Sequence, residues 1–361
     1  MIRSKASLAA ATVSLLLAGT AMSAELKQIA TIAIPGNPLK SFDISQVDSK
    51  ARQMYFADRD NAAIDIFDTK TNSFIGRAGK FVGVTMKGPK VDNDHSGPDG
   101  VQKIGGQVWG GDGNSTVQII DVASKATVAT ISTGGTARLD EMAYDPKDGV
   151  FIGVNNADDP PFATLISTKP DHKILGKIVF ENATDGAEQP AYNPNDGMFY
   201  MSVPELNKDP KKGAIAVINP KTAKLVKMLP IDMCHPAGLA KGPGDNLVVG
   251  CGANGKEGMP PVTGVINVKT GAVVLVPEIG GADMVNYNAH NNQYYTASRG
   301  QPGGAVIGVI DAKTNKLVQK IDTHGGYPHS VTSDEATGYV YVPVGTVDGG
   351  DGTIHVYAPA K

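Results

Sequence analysis

A short apolar run closed by a polar turn recurs along the chain. Ile64-Asp-Ile-Phe-Asp68 leads into Thr-Lys-Thr71, and Val117-Gln-Ile-Ile-Asp121 into Val-Ala-Ser124. Leu165-Ile-Ser167, Ile215-Ala-Val-Ile-Asn219, Val265-Ile-Asn267 and Val306-Ile-Gly-Val-Ile-Asp311 repeat the pattern, and Ile354-His-Val-Tyr357 ends it without the turn. Runs of this length, rich in Val and Ile and ending in Asp or Asn, predict β-strands that stop in tight turns, because the Asp or Asn side chain caps the turn backbone. A further strand follows each turn, as in Lys316-Leu-Val-Gln-Lys-Ile321, and a hairpin precedes each run. In one repeat it comprises Met284 to Asn288 and Gln293 to Ala297; others turn at Asp145 to Gly149, Asn193 to Gly197 and Asp334 to Gly338.

The positions 68, 121, 167, 219, 267, 311 and 357 lie 44 to 53 residues apart. That is the period of a four-stranded propeller blade. The pattern predicts an all-β, seven-bladed β-propeller forming one domain over residues 25–361. Six or eight blades is the alternative, because the approach to the second blade, 87–107, is long and irregular. The last blade lacks an outer strand in sequence, whereas Leu26-Lys-Gln-Ile-Ala-Thr-Ile-Ala33 is a spare strand at the other end. Pairing the two closes the ring and removes exposed sheet edges.

Tyr339-Val-Tyr-Val342, Ile310-Asp311-Ala-Lys-Thr314 and Pro328-His329-Ser-Val331 resemble the YVTN-type β-propeller repeats of exported bacterial proteins. The resemblance extends over the chain after its first 24 residues, at the level of the repeat. It implies the fold; a fold of this kind does not imply a chemistry.

The N-terminus changes the expected compartment. Arg3 and Lys5 precede an apolar run from Leu8 to Ala18, and Ala21-Met22-Ser23-Ala24 supplies small residues. This order predicts a secretory signal over residues 1–24, with an apolar core too short to span a membrane. The expected location is periplasmic or secreted. Without Arg3 and Lys5 the formal charge moves from −3 to −5 and no basic patch appears, which argues against nucleic acid as a partner. A monomer without a membrane span is expected. The two cysteines, Cys234 and Cys251, flank one hairpin, and its two ends lie side by side. In an oxidising compartment they are expected to form a disulfide worth about 3 kcal/mol.

A propeller places equivalent repeat positions on one circle around its channel. The residues that open the inner strands are Asp43, Asp99, Asp140, Glu188, Ala237, Asp283 and His329. Five carboxylates and an imidazole gathered at one mouth repel unless a positive charge compensates them. Asp43, Asp99, Asp140, Glu188, Asp283 and His329 are therefore candidate ligands of a divalent cation: Ca²⁺ or Mg²⁺ by their oxygens, Zn²⁺ if the imidazole joins. Loops at the same face offer Arg59, Arg138, Asn155, Asn156 and Arg299 for binding a small ligand. His235 and His329 are candidates for moving protons. His95, in a loop with Asp92 and Asp94, is a further possible ligand.

Several chemistries lack their residues. There is no Cys-x-x-Cys-His for haem attachment, no phosphate-binding loop for a nucleotide and no Gly-x-Ser-x-Gly elbow. A single tryptophan, Trp109, excludes a cofactor made from two linked tryptophans; it is expected to pack between blades. Two functions stay open. One is an exported propeller that binds a metal ion, small molecule or partner protein at the acidic mouth. The other is a metal-dependent, lactonase-like hydrolase or lyase acting there.

Overall fold

The repeat turns form as their residues dictate. Asp68 Oδ1 accepts the backbone N–H groups of Lys70 and Thr71 at 2.7 and 2.9 Å. Asp121, Asn219, Asn267 and Asp311 accept corresponding bonds from Ser124, Lys221, Thr270 and Thr314. These caps satisfy backbone donors that a strand end leaves free, so each strand stops and reverses where an Asp or Asn stands.

The computed structural model describes residues 24–252, 258–345 and 352–360. It shows seven antiparallel sheets arranged as the blades of a propeller. Blade one comprises Phe42–Asp48, Gln53–Asp58, Ala63–Asp68 and Ser73–Ala78, from channel to rim. Blades two to six repeat this order, their inner strands being Val101–Ile104, Met142–Asp145, Pro190–Asn193, Pro236–Lys241 and Met284–Asn288. In blade seven the inner strand is split into Tyr327–Pro328 and Thr332–Asp334, with His329 in the break. The spare N-terminal strand, Leu26–Ala33, pairs antiparallel with Thr353–Pro359 and supplies that blade's outer strand.

The irregular stretch before blade two adds no blade. Its strands Met86–Lys87 and Lys90–Val91 form a small separate hairpin, and a 3₁₀ turn, Asn93–His95, follows. Apolar faces of neighbouring blades pack together. Ile152, Val154 and Leu165 of blade three join Phe199, Met201 and Ala216 of blade four in one buried cluster. Trp109 is fully buried between blades two and three, its ring 4.9 Å from that of Phe151.

Cys234 and Cys251 are disulfide-bonded and buried in blade five. In blade one two buried carboxyls, Asp58 and Asp65, share a hydrogen bond and the guanidinium of Arg77, whose Nε lies 2.7 Å from Asp65. Among the described residues no helix is long and apolar enough to cross a membrane. The expected signal, apart from Ala24, lies outside the described residues.

Candidate functional site at one channel mouth

The register of each blade fixes where its first inner residue falls. The N–H groups of Asp99, Asp140, Glu188 and Asp283 donate to the carbonyls of Gly111, Val154, Ser202 and Ala297, each on the second strand of the same blade. The four side chains therefore start from equivalent places. Adjacent inner strands approach closely here. A Cβ on Gly100 would lie 2.3 Å from the carbonyl of Asp140, and one on Gly238 as close to that of Asp283.

One arc of the mouth is neutralised by arginines. Arg59, at the end of blade one's second strand, is almost fully buried; its Nε donates to Asp99 Oδ1 at 2.9 Å, and its Nη2 contacts both Asp43 and Asp99. Arg138 Nη2 sits 2.5 Å from Asp140, and its Nη1 is 3.9 Å from Asp43 and from Asp99. The 3₁₀ turn before blade two covers both arginines. Asp94 O accepts from Arg138 N at 2.7 Å, and Asn93 O from Arg138 Nη1 at 3.3 Å. Farther round, Arg299 Nη2 bonds Asp283 at 2.8 Å. His329 Nε2 contacts Asp283 and lies 3.6 Å from Asp43, while its Nδ1 faces Phe42 O at 3.0 Å. Burial would raise Asp43 and Asp283, but Arg59 and His329 hold the first below the usual carboxylate range, and Arg299 and His329 the second. Burial outweighs Arg59 at Asp99 and raises it.

The other arc shares only Arg138, through Asp140. Asp140, Glu141 and Glu188 each present an oxygen, and these atoms lie within 4.8 Å of one another. A hydrogen bond joins the carboxyls of Glu141 and Glu188. Among the described residues neither glutamate has a lysine or arginine in ion-pair contact. Asp140 Oδ1 and Glu141 Oε2 are buried without any hydrogen-bond partner. Burial, opposed by Arg138, pushes Asp140 up to about 6. Burial and the charge of Asp140 push Glu188 up to about 8, and the same causes raise Glu141 well above its ordinary value. Carboxyls at this spacing hold a proton or a cation between them.

All six residues expected at the mouth thus enter one continuous network, but the network divides into a compensated and an uncompensated half. Glu141, absent from the sequence-derived set, completes the second half. It follows Asp140 directly, at the position held by Gly100 and Gly238 in other blades, and a check of that second position in each repeat would have found it.

Other expected residues lie apart. Asn155 is fully buried and bonded to Thr133, Ser115 and two backbone carbonyls, and Asn156 accepts from Arg138; both support the loops of blade three. His235 Nε2 pairs with Asp185 at 3.0 Å, and that bond raises the imidazole's pKa. The His95 side chain is half exposed and meets Asp92 of its own turn at 3.1 Å. Arg299 and His329, with Arg59, line a cavity of about 350 Å³ beside the compensated arc.

Fold and site together define a seven-bladed β-propeller with a buried charge network at one channel mouth. Hydrazine synthase of Kuenenia stuttgartiensis contains a chain of similar structure: TM-score 0.71, 13% identity, with 91% of this chain and 99% of that one covered. At such identity the likeness is one of fold. No family model matches the chain, and no curated protein does. The YVTN-type resemblance accordingly stands on the repeat alone.

Proposed function

We propose that this is an exported, single-domain binding propeller whose mouth takes up a divalent cation between Asp140, Glu141 and Glu188. The observation that carries the reading is the pair of buried, unpartnered oxygens, Asp140 Oδ1 and Glu141 Oε2, in a cluster of three carboxyls of which only Asp140 has a basic partner in ion-pair contact among the described residues, Arg138. A hard cation takes oxygen ligands at about 2.0–2.6 Å, so oxygens gathered this closely converge on one ion. The donor set is all oxygen, which favours Ca²⁺, Mg²⁺ or Mn²⁺ over Zn²⁺. In this reading Asp43, Asp99, Asp283 and His329 are not ligands; they orient the arginines that shield the rest of the ring. The disulfide and the N-terminal sequence support export.

A second reading, a metal-dependent hydrolase or lyase at the same mouth, draws on His235. Asp185 orients its imidazole, and Glu188 lies near enough to contribute to its raised pKa. A cation held by Glu188 would polarise a carbonyl, with His235 as the proton carrier.

Thermal unfolding of metal-stripped protein with Ca²⁺, Mg²⁺, Mn²⁺ or Zn²⁺ tests the first reading. At a hundredfold excess over Kd a bound ion stabilises by about 2.7 kcal/mol, a shift of a few degrees. The shift should vanish in Glu141→Gln/Glu188→Gln. An equal shift in the double variant, or none with any ion, would remove the site.

A further inference from the structure

The cavity of about 350 Å³ beside the compensated arc is of small-molecule size. Lys40, Arg59, Arg299 and His329 contribute to its wall, and among the described residues no carboxylate does. Asp43, Asp99 and Asp283 stand outside the lining and hold Arg59, Arg299 and His329 in place. Arg59 is spent: its Nε and Nη2 serve the two aspartates, and its Nη1 lies 3.4 Å from Asn93 Oδ1. Arg299 is only partly so: its Nη2 serves Asp283, it also hydrogen-bonds the side chain of Tyr327, whose ring centre lies 5.7 Å from the guanidinium, and it stays partly open to solvent. Lys40 is exposed; its backbone N–H is anchored on Asp60 Oδ2 at 2.6 Å, and its ammonium has no acidic partner among the described residues. Tyr327 and Phe42 add aromatic surface to the same wall.

We propose that this cavity binds the carboxylate of a small organic acid with an apolar body. The guanidinium of Arg299, positioned from behind by Asp283, offers its remaining N–H groups to the planar carboxylate, a match of fork to fork that a tetrahedral anion meets less well. Lys40 adds a mobile charge at the rim. The rings of Tyr327 and Phe42 cover the body of the ligand. This subsite lies on different residues from the proposed cation site and stands without it.

The test is calorimetric titration of the full chain with benzoate and, separately, with inorganic phosphate, at low ionic strength. Benzoate should bind, and more weakly as salt is raised. Arg299→Gln should weaken it about tenfold, the scale of a lost charged hydrogen bond. Lys40→Met, at a side chain with no structural partner, should weaken it less, and so guards against misfolding of the arginine variant. The Glu141→Gln/Glu188→Gln variant should keep benzoate binding whatever happens to its cations. Benzoate affinity unchanged in both single variants, phosphate bound as tightly as benzoate, or no benzoate binding at millimolar concentration would each overturn the assignment.

Discussion

Arg59 Nε donates to Asp99 Oδ1 at 2.9 Å, a bond between blade one and the start of blade two that spans 40 residues of sequence. Both side chains are buried, with Arg59 only 3% exposed and Asp99 not exposed at all. The same guanidinium reaches Asp43. One arginine thus compensates two carboxylates at the point where neighbouring inner strands meet, and the protein meets most of the repulsion in its acidic ring from within.

Removing that arginine should be costly. Arg59→Met leaves Asp43 and Asp99 buried without their partner, and breaking a buried pair on one side destabilises by about 3–5 kcal/mol. Urea unfolding measures it. Adding Asp99→Asn to the arginine variant should recover part of the loss, since it removes one stranded charge. A cost under about 1 kcal/mol, with no recovery, would show that the two aspartates do not depend on Arg59.

The closing strand should stabilise the ring as a unit. Leu26 and Ile32 are buried, and Gln319 of blade six bonds both the N–H and the carbonyl of Leu26, at 2.8 and 3.1 Å. Burial of each such side chain is worth about 1.5–3 kcal/mol. Deleting residues 25–34 should therefore lower the single cooperative melting transition. A truncated chain that melts with the parent would show that the pairing with Thr353–Pro359 contributes nothing to closure.

Asp65 should make stability depend on pH. Burial, with the neighbouring Asp58, pushes its carboxyl up to about 8, whereas an unfolded chain ionises it near 3.8. The folded state keeps the proton when the unfolded state has lost it. Its contribution is therefore complete below about pH 4 and is lost as the pH rises to about 8, at up to about 1.4 kcal/mol per pH unit. In metal-free protein Asp140 and Glu188 act in the same sense, while Asp43 and Asp283, held low, act below about pH 4. Asp65→Asn isolates the first effect. Its urea midpoint should gain on the wild type steadily between pH 4.5 and 8. A constant difference over that range would mean that Asp65 is ionised throughout.

The fold was legible because every blade repeats the same local instructions. An Asp or Asn ends a strand wherever it stands, through bonds to the next two or three residues, so the turn at Asp68 is visible without its neighbours. The spare strand from Leu26 to Ala33 was legible for the same reason, since a ring of complete repeats leaves one gap and one strand to fill it. The disulfide followed from the hairpin that its cysteines flank.

The repeat also brought Asp43, Asp99, Asp140, Glu188, Asp283 and His329 to one mouth, because equivalent positions in a closed ring are neighbours. It did not show how their charge is balanced. Arg59 belongs to a loop after a second strand, Arg138 to the segment leading into blade three, and the turn that covers them to an insertion outside the repeat. Their partners lie in other blades, and which acid each reaches depends on side-chain direction and depth, which spacing does not encode. Glu141 is the sharpest case. Along the chain it is one more acid beside Asp140; only the packing of inner strands brings its carboxyl to that of Glu188, out of ion-pair contact with any arginine among the described residues, and so forms the acid cluster proposed to take a cation.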